Sequence, residues 1–303
     1  MKLAFVRRIA GWCVLALLAG IVVVKPGAGQ QPVAQVVQAA DQTRFAWSGP
    51  TLENHHLASI SVFRLGMRHI AEGTDHLLFL LVLLLPAPLL SAAGRWSGQA
   101  TVRRSLLRIL RIVTAFTLGH SLTLALSAFG LVRLPSRPVE VLIAVSILVS
   151  AIHAMRPLFP GREAFIAGFF GLIHGMAFAS AISELGVTGW YRGVSIAGFN
   201  LGIEAMQLMV VALTLPSLLL LSRTPLYAVF RLGGSLFAAV ASIAWIAERG
   251  FRTSNVVDPL VEAVAHHAAW AALALLVFSL LAWLLESEGE GDGRQSVKVL
   301  SGS

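Results

Sequence analysis

The stretch Gly66–Leu85, GMRHIAEGTDHLLFLLVLLL, sets His69, Glu72, Asp75 and His76 into the opening turns of a segment that ends in an unbroken apolar run. Such a run reads as part of a lipid-spanning helix. An ionisable side chain at the middle of a bilayer costs at least ~2.5–3.5 kcal/mol, so imidazoles and carboxylates placed there are functional candidates. At roughly 100° per residue, with His69 as zero, Glu72 falls near 300°, Asp75 near 240° and His76 near 340°. On a continuous helix the four share an arc of about 120°. The opposite side, all Leu, Phe and Val, is expected to face lipid.

The rest of the chain has the same character. Its 303 residues are 56% hydrophobic and only 13% charged, with a mean hydropathy of +0.78. A soluble domain carries roughly a quarter charged residues. Apolar runs of spanning length recur throughout, and the alternation of an outer-membrane barrel is absent. The expected fold class is therefore all-α, a polytopic membrane helical bundle. The net charge of +8 implies no nucleic-acid partner, because the arginines cluster in short loops, where they set topology.

Residues 1–29 have the layout of a signal peptide: Lys2, Arg7 and Arg8, an apolar run from Ile9 to Val24, then small residues. An uncleaved anchor helix stays open, since no Ala-x-Ala site is visible. Cys13, the single cysteine, lies inside this run, so a mature chain would bind metal through nitrogen, oxygen or methionine sulfur. Residues 30–68 read as an extracytoplasmic polar segment. Leu57, Ile60, Arg64 and Met67 in it are spaced for a short interfacial helix. Residues 69–285 read as a seven-helix membrane domain, with spans at about 69–90, 108–130, 138–155, 163–183, 194–221, 225–247 and 263–285. Residues 286–303 read as a disordered cytoplasmic tail. Arg95, Arg103, Arg104, Arg108 and Arg111 mark the first inter-span loop as cytoplasmic, which puts the mature N-terminus outside and the C-terminus inside.

Further polar residues punctuate the spans. In FNLGIEAMQL, Asn200, Glu204 and Gln207 lie at i, i+4 and i+7 beside Gly202, which would allow close helix approach. TAFTLGHSLTLALS places Thr117, His120, Thr123 and Ser127 on one side, and GFFGLIHGMAFAS sets His174 between Gly171 and Gly175. With the orientation above, all these candidates fall between the outer surface and the mid-plane, which favours one shared site opening outward. A lone His120 or His174 is equally explained by a hydrogen bond between helices. The group His69, Glu72, Asp75, His76, His120, His174, Asn200, Glu204 and Gln207 is the expected metal-binding set. Neutral imidazole with carboxylate suits divalent Ni, Co or Zn, either as substrate or as a bound ion. A carboxylate beside a histidine would also orient its ring.

The motifs HIAEGTDHLLFLLVLLL, VTAFTLGHSLTLAL, PVEVLIAVSI, GLIHGMAFA and FNLGIEAMQL, in this order, resemble the HupE/UreJ family of bacterial membrane proteins, particularly its longer branch. The resemblance runs over about residues 66–247, and the family's G-x-D-H element corresponds to Gly73, Asp75 and His76. It implies a nickel- or cobalt-type permease in the inner membrane, with the metal ion and the lipid bilayer as partners; homo-oligomerisation stays open. Two features depart from shorter family members: Ile70 follows His69 where they carry proline, and His174 stands alone where they have paired histidines. The alternative is a metal-dependent intramembrane hydrolase with His76, His120 and His174 as ligands, although the G-x-S-x-G elbow is absent. A permease also needs an inner exit, where this reading finds few intramembrane ligands besides Ser146 and Ser150.

Overall fold

The computed structural model describes residues 52–132, 134–177 and 190–301. The expected signal segment, and the polar stretch as far as residue 51, lie outside the described residues, as does the end of the expected 163–183 span. Nine helices and one hairpin are described: α1 (Leu52–Glu72), α2 (Thr74–Leu84), β1 (Leu89–Ala92), β2 (Arg95–Gln99), α3 (Val102–Ala128), α4 (Ser136–Met155), α5 (Glu163–Ala177), α6 (Trp190–Leu221), α7 (Leu226–Phe251), α8 (Asp258–His266) and α9 (Ala268–Ser301).

Four helices are long and apolar enough to cross a membrane: Val102–Ala128, Ser136–Met155, Arg192–Leu221 and Leu226–Phe251. A fifth span results if Asp258–His266 and Trp270–Glu286, bent by 75°, count as one. The outward faces match a lipid solvent. On α7, Leu232, Leu236, Val240 and Ile243 repeat at helical spacing and are all exposed, as are Leu118 and Leu122 on α3. Several hydroxyls within the helices are satisfied locally, as where Ser242 Oγ donates to Ala238 O and Thr214 Oγ1 to Val210 O. The chain is a multi-pass helical membrane protein.

The first expected span differs from its sequence reading. A single helix over 69–90 is replaced by α1, a break at Gly73 and the 11-residue α2. The apolar side of α2 does not face lipid. Every residue from His76 to Leu84 is buried except Leu81, so α2 is a central helix enclosed by its neighbours. The helix expected near 57–67 is the longer α1, whose Val62 and Ile70 are buried against α6. The loop expected after the first span holds the antiparallel hairpin β1–β2, whose turn residues Ala93 and Gly94 both take positive φ (48° and 72°). That is the backbone of a tight primed turn, which suits the twist of a two-stranded ribbon.

Two close helix contacts position everything that follows. Helices α3 and α5 run parallel with backbones nearly touching: a Cβ on Gly171 would stand 2.1 Å from Phe116 O. Helices α1 and α6 meet in the same way, where a Cβ on Gly202 would stand 2.1 Å from Phe63 O. In membranes such small-residue contacts drive helix association through van der Waals packing. Beneath them Phe79 of α2 packs against Phe116 at 5.1 Å and Phe170 at 5.8 Å between ring centroids, which makes a dry aromatic floor. Replacing Gly171 with valine forces α3 and α5 apart, and overpacking of this kind costs about 1–3 kcal/mol. The expected outcome is a lower thermal unfolding midpoint of the detergent-solubilised protein, read by intrinsic fluorescence. An unchanged midpoint would contradict the packing described.

Candidate metal centre

The break at Gly73 creates the site. Its backbone is extended (φ −75°, ψ 92°), and a Cβ there would lie 2.6 Å from His69 O and 3.0 Å from His76 Nδ1. Only glycine fits between the last turn of α1 and the ring of His76. The break folds His76 back toward His69, leaving the ring centroids 4.6 Å apart. From α3, His120 adds a third ring, 5.9 Å from His69 and 6.3 Å from His76. One nitrogen from each of His69, His76 and His120 lies within 4.8 Å of the other two, so the three can hold one metal ion. His174 of α5 stands next to this group, its ring 4.8 Å from that of His76 and 5.0 Å from Phe79.

Hydrogen bonding decides which nitrogens are available. Asp75 Oδ1 accepts from the backbone N–H of His76 at 2.9 Å and lies 2.9 Å from His76 Nδ1. A carboxylate only accepts, so Nδ1 carries the ring proton and Nε2 keeps a bare lone pair. That Nε2 is buried without a protein hydrogen-bond partner. The same logic applies at His174. Ser146 Oγ donates its single proton to Ile143 O at 2.7 Å, so at 2.9 Å it accepts from His174 Nε2–H, and Nδ1 is left bare. Nδ1 is also buried and without a hydrogen-bond partner. His120 is wholly buried. The donor set is therefore imidazole nitrogen, with His76 and His174 oriented by partners that do not themselves ligate, which fits a borderline divalent ion such as nickel, cobalt or zinc.

The remaining expected residues divide. Asn200 of α6 is buried beside His120. Gln207 Oε1 accepts from Thr117 Oγ1 at 3.0 Å and Glu204 Oε1 from Thr114 Oγ1 at 3.4 Å, so this part of the α6 stripe is directed at α3. Glu72 is exposed. Asp75 has a second neighbour: Arg249 of α7 places Nη1 3.8 Å from Oδ2, stacks over Trp245 at 5.4 Å and donates to Glu140 O at 3.3 Å. Arg249 also lines a cavity of about 710 Å³ between the start of α4 and the end of α7, so it stands between that space and Asp75.

Sequence reasoning missed a second polar cluster at the opposite ends of α3, α4 and α5. There Arg108 bonds to Glu163, and His153 Nε2 lies 4.0 Å from the same carboxylate. His153 and Glu163 are both buried. A signal was present: Ser146, Ser150 and His153 follow one another at i, i+4 and i+7 along α4.

Among known protein families, residues 49–249 match the family described as HupE / UreJ protein. No curated protein and no solved structure matches the chain.

If Asp75 fixes the His76 tautomer, Asp75→Asn weakens nickel binding by about 10–100-fold, the usual cost of removing a partner that orients a ligand. Titration calorimetry of the purified protein checks this. Wild-type affinity in the variant would show that the carboxylate does not orient the ligand.

Proposed function

The chain belongs to the HupE/UreJ family, and we propose that it is a permease for a divalent ion of the nickel or cobalt type, captured by His69, His76 and His120. The family is associated with nickel and cobalt transport. The observation that carries the reading is the convergence of one nitrogen each from His69, His76 and His120 within 4.8 Å of one another, with Asp75 holding the His76 proton on Nδ1 so that Nε2 is left to ligate. Neutral nitrogens strip a hydrated ion without adding charge to the membrane interior, and Asp75 offsets part of the ion's charge from behind His76. His174 and Asn200 flank the capture site and are positioned to take part as the ion moves on.

In this reading the short helices α2 and α5 join the five longer units to make seven spans. The signal segment is removed, the N-terminus lies outside, and the hairpin with Arg95 and the arginine-rich start of α3 lie inside. The ion arrives through the cavity beside Arg249, where the end of α7 meets the start of α4. A metal-dependent hydrolase would need a general base near the metal. Among the described residues the carboxylate beside the cluster is Asp75, which already has one oxygen on His76 and the other facing Arg249.

The test is nickel influx into proteoliposomes, comparing the wild type with His76→Ala and running cobalt and zinc alongside. Saturable influx that is lost in the variant is the expected result. No influx by a wild type that still retains stoichiometric metal would overturn the permease reading.

A further inference from the structure

A permease needs a way out as well as a capture site, and the second polar cluster lies where that exit belongs. From His174 to Glu163, near the two ends of α5, is about 16 Å along the helix axis at 1.5 Å per residue. The interval is bridged by hydroxyls of α4. Ser146 Oγ contacts His174, Ser150 Oγ donates to Ser146 O at 2.8 Å, and His153 follows one turn later. All three α4 residues are almost wholly buried, in a helix whose other inward positions are apolar.

We propose that Glu163 is the release-side carboxylate of the ion path, reached from the histidine cluster past Ser146 and Ser150 and held closed by Arg108 and Trp96. This inference rests on the permease reading. Three observations support it. First, His153 is not built to ligate. Its Nδ1 accepts from the backbone N–H of Leu158 at 3.1 Å, so the ring proton sits on Nε2. That buried N–H has no hydrogen-bond partner and is directed at Glu163 from 4.0 Å. It is poised to become the carboxylate's donor when Arg108 leaves. Second, Arg108 is a removable plug. Its side chain is 20% exposed while that of Glu163 is 7% exposed, and it also donates to Leu89 O in β1 at 3.0 Å and lies over Trp96 at 5.2 Å. A long arginine stem at a membrane boundary can swing its head into water. Third, Trp96 closes the way beyond. It donates from Nε1 to His153 O at 2.9 Å, and it lines a cavity of about 260 Å³ together with Gln99, Tyr227 and Arg231.

The donor chemistry changes along this route in the direction that release requires. Capture uses imidazole nitrogen, which nickel, cobalt and zinc prefer; the lower half offers only hydroxyl, carbonyl and carboxylate oxygen, which hold such ions less tightly. An ion passed from nitrogen to oxygen donors is thereby loosened before it meets water.

The experiment compares Glu163→Gln with Arg108→Gln in two assays: nickel retained by the purified protein, and nickel influx into proteoliposomes. The proposal expects both variants to retain nickel. Influx is lost in Glu163→Gln, and it is maintained or raised in Arg108→Gln, because the carboxylate has been unplugged. Trp96→Ala, at the hairpin, is expected to raise influx as well. A purely structural ion pair would give the two glutamine variants the same phenotype. Equal loss of influx in both, no change in either, or loss of retained nickel in both therefore overturns the proposal. A wild type without influx would instead sink the permease reading.

Discussion

The hydrogen bond between Asp75 and His76 is the contact on which the site depends. A buried imidazole has two nitrogens and one proton, and its use as a ligand is set by where that proton is held. Asp75 holds it on Nδ1, through an oxygen that also caps the His76 backbone N–H, so one carboxylate fixes both the start of α2 and the tautomer of its first buried ring. Ser146 does the complementary work for His174 from the other side. Neither partner is itself a ligand, yet each decides which nitrogen of its histidine carries the proton, Asp75 within the triad and Ser146 beside it.

The surrounding fold is arranged to keep this group dry. The central helix α2 is only 11 residues long, and it does not face lipid. Helices α3, α4, α5 and α7 enclose its apolar length, while α1 brings His69 in from the side. The glycine contacts between α3 and α5 let two histidine-bearing helices approach with backbones in van der Waals contact, which brings His120 and His174 to the same level as His76. Two carboxylates in this interior have partners: Asp75 has His76 and Arg249, and Glu163 has Arg108.

Much of this was legible in the sequence. The apolar runs gave the membrane class, the motifs gave the family, and the G-x-D-H element with His69 and His120 gave the three residues that the fold brings together. What misled was the assumption of one continuous helix. Angular positions counted from His69 ignore the extended backbone at Gly73, so an arc that implied a lipid-facing back instead belongs to a buried helix. Periodicity puts Asn200, Glu204 and Gln207 on one stripe, but it cannot say that Gln207 is taken by Thr117 and Glu204 by Thr114. His153 and Glu163 went unread because they lie near helix ends, where a polar residue looks solvated until the hairpin and Trp96 are seen to cover it. That cover depends on a turn with positive φ at Ala93, which its residue type does not announce.

The claim that the converging imidazole nitrogens form the capture site is tested most directly by X-ray absorption at the nickel edge on the nickel-loaded, purified protein. The expected spectrum has a first shell containing imidazole nitrogen, with the outer-shell scattering that the rings produce, and this signal is lost or reduced in His120→Ala. A shell of oxygen alone, the same in wild type and variant, would contradict it and move the ion to the carboxylates.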